Sequence, residues 1–185
     1  MIDESGINAF SLRRLAGVLG VRVSALYNHI ENESDLLIEV AQRSADMYKE
    51  YIGNIMEGIP LEEATYKAGD AFRDFLLKHK YLYDLLLDRR WIGNRKFDKV
   101  TESFTQPIFD LLYQHGVEDK IEKEHLYVVM RVVTHGFASL DSLGVFDGLC
   151  ADRSESYHRM IAGVIEMMKQ SAGKTGEKNE SKTIE

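Results

Sequence analysis

The sequence predicts an all-α protein, with a small N-terminal helix-turn-helix unit followed by a larger helical domain. Three observations predict it. Apolar residues recur at helical spacing through most of the 185-residue chain. Only two prolines interrupt it, and no alternating apolar run is long enough to build a sheet. Between Ser11 and Ile30, two short amphipathic stretches meet at Gly20. Leu12, Leu15, Ala16 and Leu19 fall at i, i+3, i+4 and i+7, and so do Val23, Leu26, Tyr27 and Ile30. Neither stretch can hold a helix alone in water. They persist only by packing their stripes together on a third element, which is the logic of a helix-turn-helix.

Taken in order, Met1 to Ser5 is the last turn of a helix that stops at Gly6. Ser11 offers its hydroxyl to the orphan backbone N–H groups of the next helix, and Gly20 supplies the turn after it. Arg22 to His29 is the second helix of the pair, pointing Ser24, Ala25, Asn28 and His29 away from the packed stripe. These side chains are small or hydrogen-bonding, and such a face suits a DNA major groove. Asn32 with Asp35 resembles a capping box, and Glu33 and Asp35 favour the positive end of the helix dipole. One long stripe, from Leu36 to Ile55, then describes a single helix ending near Gly58.

Pro60 suits the first position of the following helix, which runs to about Lys78 with Glu62 and Glu63 in its first turn. Tyr81 to Leu87 is a shorter helix, and Arg89 to Asn94 is a loop around Trp91. Lys96 to His115 is helical with Pro107 inside it, and the proline is expected to kink or break it. Glu122 to Val145 and Arg153 to Ser171 are the last two long helices. The residues after them are nearly devoid of apolar side chains and read as disordered. The expected division is 1–45 for the helix-turn-helix domain, 46–172 for the larger domain and 173–185 for a disordered tail.

Composition narrows the function classes. A single cysteine, Cys150, excludes an intramolecular disulfide framework and fits a reducing cytoplasm, as a small semi-buried residue near a helix end. No apolar run approaches the roughly 20 residues of a membrane span, so the expectation is a cytoplasmic protein without a membrane partner. The net charge of −7 is unusual for a DNA binder until it is localised. Ser5 to Ile30 has no acidic residue and three arginines, Arg13, Arg14 and Arg22, although residues 1–50 carry five basic and eight acidic residues. Non-specific DNA affinity is therefore expected to be modest. No HExxH, GxSxG, glycine-rich phosphate loop or Cys–His pair occurs, and the histidines lack metal-ligand spacing. The chain reads as neither an enzyme nor a metal or cofactor protein.

The first motif resembles that of the TetR family of bacterial transcriptional regulators. The matching residues are Ser11-Leu12-Arg13-Arg14-Leu15-Ala16, Leu19-Gly20-Val21, Leu26-Tyr27-Asn28-His29-Ile30 and Leu36-Leu37. A weaker likeness to one subgroup's ligand domain lies in His135-Gly136 followed by Phe137 and Leu140. The resemblance implies a homodimer, joined by the last two long helices of each subunit, that binds a double-stranded DNA operator and a small-molecule effector. Carried over residue by residue, Ser11, Arg13 and Tyr27 contact phosphates, with Arg22 in the same basic patch. Ser24, Ala25, Asn28 and His29 face bases, and only such base contacts give sequence preference. Tyr27 serves equally well as a packing residue with a wet hydroxyl.

The chain departs from the family pattern in three places. About a dozen residues of the family's first helix are missing before Gly6, a departure that suggests a misplaced start or a truncated chain. The small domain is then expected to be under-packed, with Leu15 or Leu37 partly exposed. Glu33 stands where the family often has a phosphate-gripping lysine. Ile30 replaces an aromatic, a tolerable core exchange.

Fifteen of the eighteen aromatic residues lie beyond residue 50. Singly most of them fill core, but together they suit a mostly apolar pocket for an apolar or aromatic effector. Guided by the family, the candidate lining is Phe75, His79, Tyr83, Trp91, Phe104, Tyr127, Arg131 and His135. The most economical function is a ligand-responsive repressor released from its operator by a small molecule, with the helix from Asn32 to Ile55 as lever. A dimeric ligand-binding protein with impaired or no DNA binding is the alternative, favoured by Glu33 and by the short first helix.

Overall fold

The computed structural model describes residues 1–56, 58–149 and 151–180, with side chains as far as Ala172. Cys150 and residues 181–185 of the expected tail lie outside the described residues. Among the described residues there are nine α-helices and no strand. They are α1 (Ile2–Ser5), α2 (Leu12–Leu19), α3 (Val23–Leu26), α4 (Glu33–Met56), α5 (Leu61–Lys78), α6 (Lys80–Leu86), α7 (Asp98–Gln114), α8 (Lys120–Ser142) and α9 (Arg153–Glu180).

The chain forms two compact units. The first is Met1–Lys49 with Lys78–Phe104, and the second is Glu50–Leu77 with Thr105–Glu185. Packing thus recruits a returning segment, Lys78–Phe104, into the unit that holds the helix-turn-helix. Helix α4 begins in the first unit and ends in the second.

In the first unit Leu12, Ala16 and Leu26 form a small buried cluster, flanked by half-buried Leu15, Val23, Ile30 and Leu36. Leu15 is half-buried as expected, but Leu37 is only 1% exposed. The returning segment also contributes buried Leu82, Tyr83, Leu85, Phe97 and Phe104 to this unit. Gly6 follows α1 at φ 75°, a conformation that disfavours a side chain, and a Cβ there would lie 3.1 Å from the Tyr81 ring.

The second unit buries Ala64 and Ala68 of α5 against Leu111 and Leu112 of α7, Leu126 and Met130 of α8, and Val164 and Met168 of α9. Phe137, Tyr157, Ile161 and Ile165 form a second cluster. The buried Tyr157 hydroxyl donates to the Gly69 carbonyl at 2.6 Å, which ties α9 to α5.

Three expectations are corrected. Helix α7 is continuous through Pro107, so the break that was one of the two expected outcomes does not occur. Buried side chains on both sides of the proline, Phe104 before it and Ile108 and Leu111 after it, outweigh one lost backbone hydrogen bond. Helix α9 continues to Glu180, into the stretch expected to be disordered, because extending an existing helix costs far less than starting one. The second helix of the pair is α-helical only from Val23 to Leu26, and Tyr27–His29 continue as a tighter turn. There the His29 amide donates to the Leu26 carbonyl at 2.9 Å, the short-range pattern that often closes a helix.

Candidate nucleic-acid interface and effector residues

Local chemistry builds the helix-turn-helix. The Ser11 side chain accepts from the Arg14 amide at 3.2 Å, capping α2. Gly20 ends it in the left-handed region at φ 68° and ψ 25°, where its amide meets the Ala16 and Gly17 carbonyls. The turn is thereby set, and Leu26 packs on Leu12 and Ala16. Asn32 caps α4 by accepting from the Asp35 amide at 3.0 Å. The Asp35 carboxylate in turn accepts from the Asn32 side-chain amide at 2.8 Å, where a full capping box would have it accept from the Asn32 backbone amide.

The face opposite this packing is open. Ser24, Tyr27, Asn28 and His29 are exposed, and Ala25 is half-buried. Tyr27 is 54% exposed, so its ring is not core. Ser11, Arg13 and Arg22 are exposed as well, and Arg14 is tethered by its guanidinium to the Ala9 carbonyl at 3.0 Å. All eight residues expected at the DNA face therefore belong to one unit, and all but Ala25 are exposed.

Glu33 is exposed at the first position of α4. A cation nonetheless reaches this helix start from elsewhere in the chain. The Lys96 ammonium lies 2.7 Å from the Asp35 carboxylate and 3.5 Å from Glu31. Its hydrogen bond to Asp35 holds that carboxyl below its ordinary pKa, and the same bond raises the lysine. Lys96 was not among the residues singled out from sequence. The signal for it is the basic run Arg89, Arg90, Arg95 and Lys96, which spans the loop around Trp91 and the start of the helix expected after it.

The eight candidate effector residues divide between the units. In the first, His79 Nδ1 is paired with Asp3 at 2.8 Å. The Trp91 indole donates to the Leu85 carbonyl at 2.7 Å and stacks on Phe97 with centroids 5.0 Å apart. Phe104 stacks on Tyr48 at 4.5 Å, and Tyr83 lies 5.9 Å from the same phenyl ring. In the second unit Phe75 is buried, and half-buried Tyr127 stacks on Phe109 at 5.1 Å. The Arg131 guanidinium sits 5.5 Å from the centre of the Phe72 ring, and His135 Nε2 is 3.5 Å from the Ser139 hydroxyl.

Elsewhere in that unit Asp141 accepts from Arg73 at 2.6 Å and from Arg153 at 3.0 Å. The Arg73 bond dominates in holding this carboxyl below the usual carboxylate range. No group of three or more His, Cys, Asp or Glu side chains suited to a metal occurs among the described residues. No described helix is long and apolar enough to cross a membrane.

A family model described as the tetracyclin repressor-like C-terminal domain matches residues 66–164, more than half of the chain. The chain belongs to the tetracyclin repressor-like, or TetR, family. That match runs from within α5 into α9 and includes the returning segment 78–104 of the first unit.

An HTH-type transcriptional regulator of Staphylococcus aureus (strain USA300) is 30% identical over 113 residues, which is 61% of this chain and 60% of the relative. The aligned region thus spans 60% of the length of that curated relative. Among solved structures, a Rhodococcus sp. RHA1 protein of unknown function aligns with a TM-score of 0.71 at 19% identity, covering 89% of this chain and 88% of that one. The crystal structure of Mycobacterium smegmatis BioQ aligns with a TM-score of 0.64 at 21% identity, covering 92% of each chain. At such identities these structures establish the TetR fold and nothing narrower.

Proposed function

We propose that this protein is a ligand-responsive transcriptional regulator that binds a double-stranded operator as a homodimer and releases it when a small molecule binds. The observation that carries the reading is the exposed face of Ser24, Asn28 and His29, held out by a capped helix-turn-helix in a TetR-family chain. That face has no packing task, and its side chains hydrogen-bond to base edges. Ser11, Arg13, Arg22 and Tyr27 would fix the register on the phosphates.

Apolar side chains on the outer sides of α8 and α9 support the dimer. Ile121, Val128 and Val132 are 65%, 55% and 65% exposed, and Met160 and Met167 are 37% and 43% exposed. A stripe of that kind along two adjacent helices is what a four-helix interface between two copies would cover.

For the effector, the aromatic second unit favours an apolar or aromatic molecule. Phe75 and Tyr127 would supply contact area, and Arg131 and His135 would supply a few orienting polar groups. Helix α4, continuous from the reading unit into the second unit, is the natural lever. Effector binding would shift the equilibrium between two spacings of the paired reading heads. Only a spacing near one helical turn of DNA, about 34 Å, engages both half-sites.

The test is selection of an operator from a random duplex library with the full chain, followed by Asn28→Ala and His29→Ala. The substitutions should abolish preference for the selected site over random DNA while the circular dichroism spectrum is unchanged. If the wild-type chain selects no sequence and binds no duplex, it is a dimeric ligand-binding protein without DNA binding, the reading that exposed Glu33 favours.

A further inference from the structure

The segment Arg89–Lys96 carries Arg89, Arg90, Arg95 and Lys96, with no acidic residue between Asp88 and Asp98. All four side chains are exposed. The segment is held from beneath: Trp91 and Phe97 are buried and stacked with their planes only 8° apart. Asp88 accepts from the Arg90 amide at 2.9 Å and Asn94 from the Lys96 amide at 3.0 Å, each capping a short turn of 3-10 helix. Two buried aromatic anchors and two capped turns thus fix a cationic surface in place.

Its position follows from Lys96. The ammonium is 3.5 Å from the Glu31 carboxylate, and Glu31 is two residues beyond His29. The basic segment therefore borders the chain as it leaves the reading face, within the same compact unit. Arg90 is partly spent on Asp88 at 3.0 Å, and Lys96 on Asp35. Among the described residues Arg89 and Arg95 form no ion pair.

The charge distribution points the same way. The unit with the helix-turn-helix holds 12 basic and 11 acidic residues, whereas the second unit holds 11 and 19. The negative balance of the protein thus belongs wholly to the second unit, the first being close to neutral.

We infer that Arg89 and Arg95 are a second grip on the DNA phosphate backbone, beside the groove read by Asn28 and His29. Lys96 serves the same surface by neutralising Glu31 and Asp35, which together with Glu33 would otherwise turn three carboxylates toward the duplex. This supplies from the returning segment the positive charge that is absent at Glu33. The inference rests on the DNA-binding reading above. It adds contacts that carry affinity and salt dependence but no sequence preference.

The experiment uses the full chain and a fluorescein-labelled mixed-sequence duplex of about 40 base pairs, with anisotropy titrations from about 50 to 200 mM salt. Each phosphate contact contributes about −0.9 to the slope of log affinity against log salt, or about 3.5-fold over this fourfold range. The R89Q/R95Q variant, which removes two contacts from each subunit of the dimer, should lose about 3.6 units of slope and weaken binding to the selected operator by the same factor as binding to the mixed duplex. K96Q should weaken binding, and adding E31Q should restore part of the loss. If the double variant melts early, R89Q and R95Q singly should each show half of the slope change.

An unchanged slope in R89Q/R95Q, with R13Q/R22Q flattening it, overturns the inference and leaves the regulator reading intact. Failure of the wild-type chain to bind the duplex at the lowest salt overturns both.

Discussion

Removing the Asp141 carboxylate should markedly destabilise the second unit. Asp141 lies at the end of α8 with a side chain only 7% exposed, and it accepts from Arg73 of α5 at 2.6 Å and from Arg153 of α9 at 3.0 Å. The Arg73 side chain is 21% exposed, its guanidinium lies 5.7 Å from the Phe137 ring centre, and its buried Nε has no hydrogen-bond partner. Asp141→Ala would therefore leave a largely buried cation without its counter-charge. Breaking a fully buried pair costs about 3–5 kcal/mol. Since Arg73 keeps some contact with water, about 2–3 kcal/mol is the expectation here.

Arg153 is 46% exposed and also pairs with Asp147, so Arg153→Ala should cost under about 1 kcal/mol. Urea unfolding followed by circular dichroism at neutral pH measures both. The pH dependence has a definite sign. Folding lowers the Asp141 pKa, so its contribution is complete above the ordinary carboxylate range and is lost as pH falls through the depressed folded value. Asp141→Asn should consequently flatten the acid limb of the stability profile. The reasoning is refuted if Asp141→Ala stays within about 0.5 kcal/mol of wild type, or if Arg153→Ala costs as much as Arg73→Ala.

Tyr157→Phe should cost about 1–2 kcal/mol in thermal unfolding, because it deletes the 2.6 Å bond to the Gly69 carbonyl in a buried site. Gly69→Ala should be destabilising at the same place, since its Cβ would lie 3.1 Å from Ile161. His115 is half-buried with its Nε2 2.8 Å from the Thr65 hydroxyl, and burial lowers its pKa from 6.5. The unfolded chain therefore binds its proton more tightly, so stability should fall as pH drops below the unfolded value, and His115→Gln should blunt that fall. Val132→Glu, on the exposed side of α8, should convert a dimer to a monomer in sedimentation at micromolar concentration; a monomeric wild-type chain would refute the interface.

Much of the reading head was legible because its determinants are local. Ser11 caps a helix three residues away, Gly20 turns the chain where it stands, and Asn32 meets Asp35 within one turn. Spacing also marks which side chains pack, so the outward placement of Asn28 and His29 follows from the inward placement of Leu26. Pattern misjudged cases where distant packing intervenes. Pro107 stays in a helix because buried neighbours hold it on either side, and Leu37 is buried in a unit whose core is shared by residues some fifty positions away. The partners of His79 and Trp91, Asp3 and the Leu85 carbonyl, are likewise meetings that helical spacing does not mark.

By itself the sequence determined the all-helical class, the helix-turn-helix with its caps and exposed face, and the likeness to TetR regulators. Each follows from residue types within a few positions of one another, where backbone geometry alone decides what meets what. Tertiary structure alone decided that Asp3 meets His79, Asp35 meets Lys96 and Arg73 meets Asp141, pairs 76, 61 and 68 residues apart. It also decided that the segment 78–104 belongs to the reading unit rather than to the domain that follows it in sequence. No local propensity encodes such meetings. They arise when whole helices bury their apolar stripes and bring whatever charges they carry to one place.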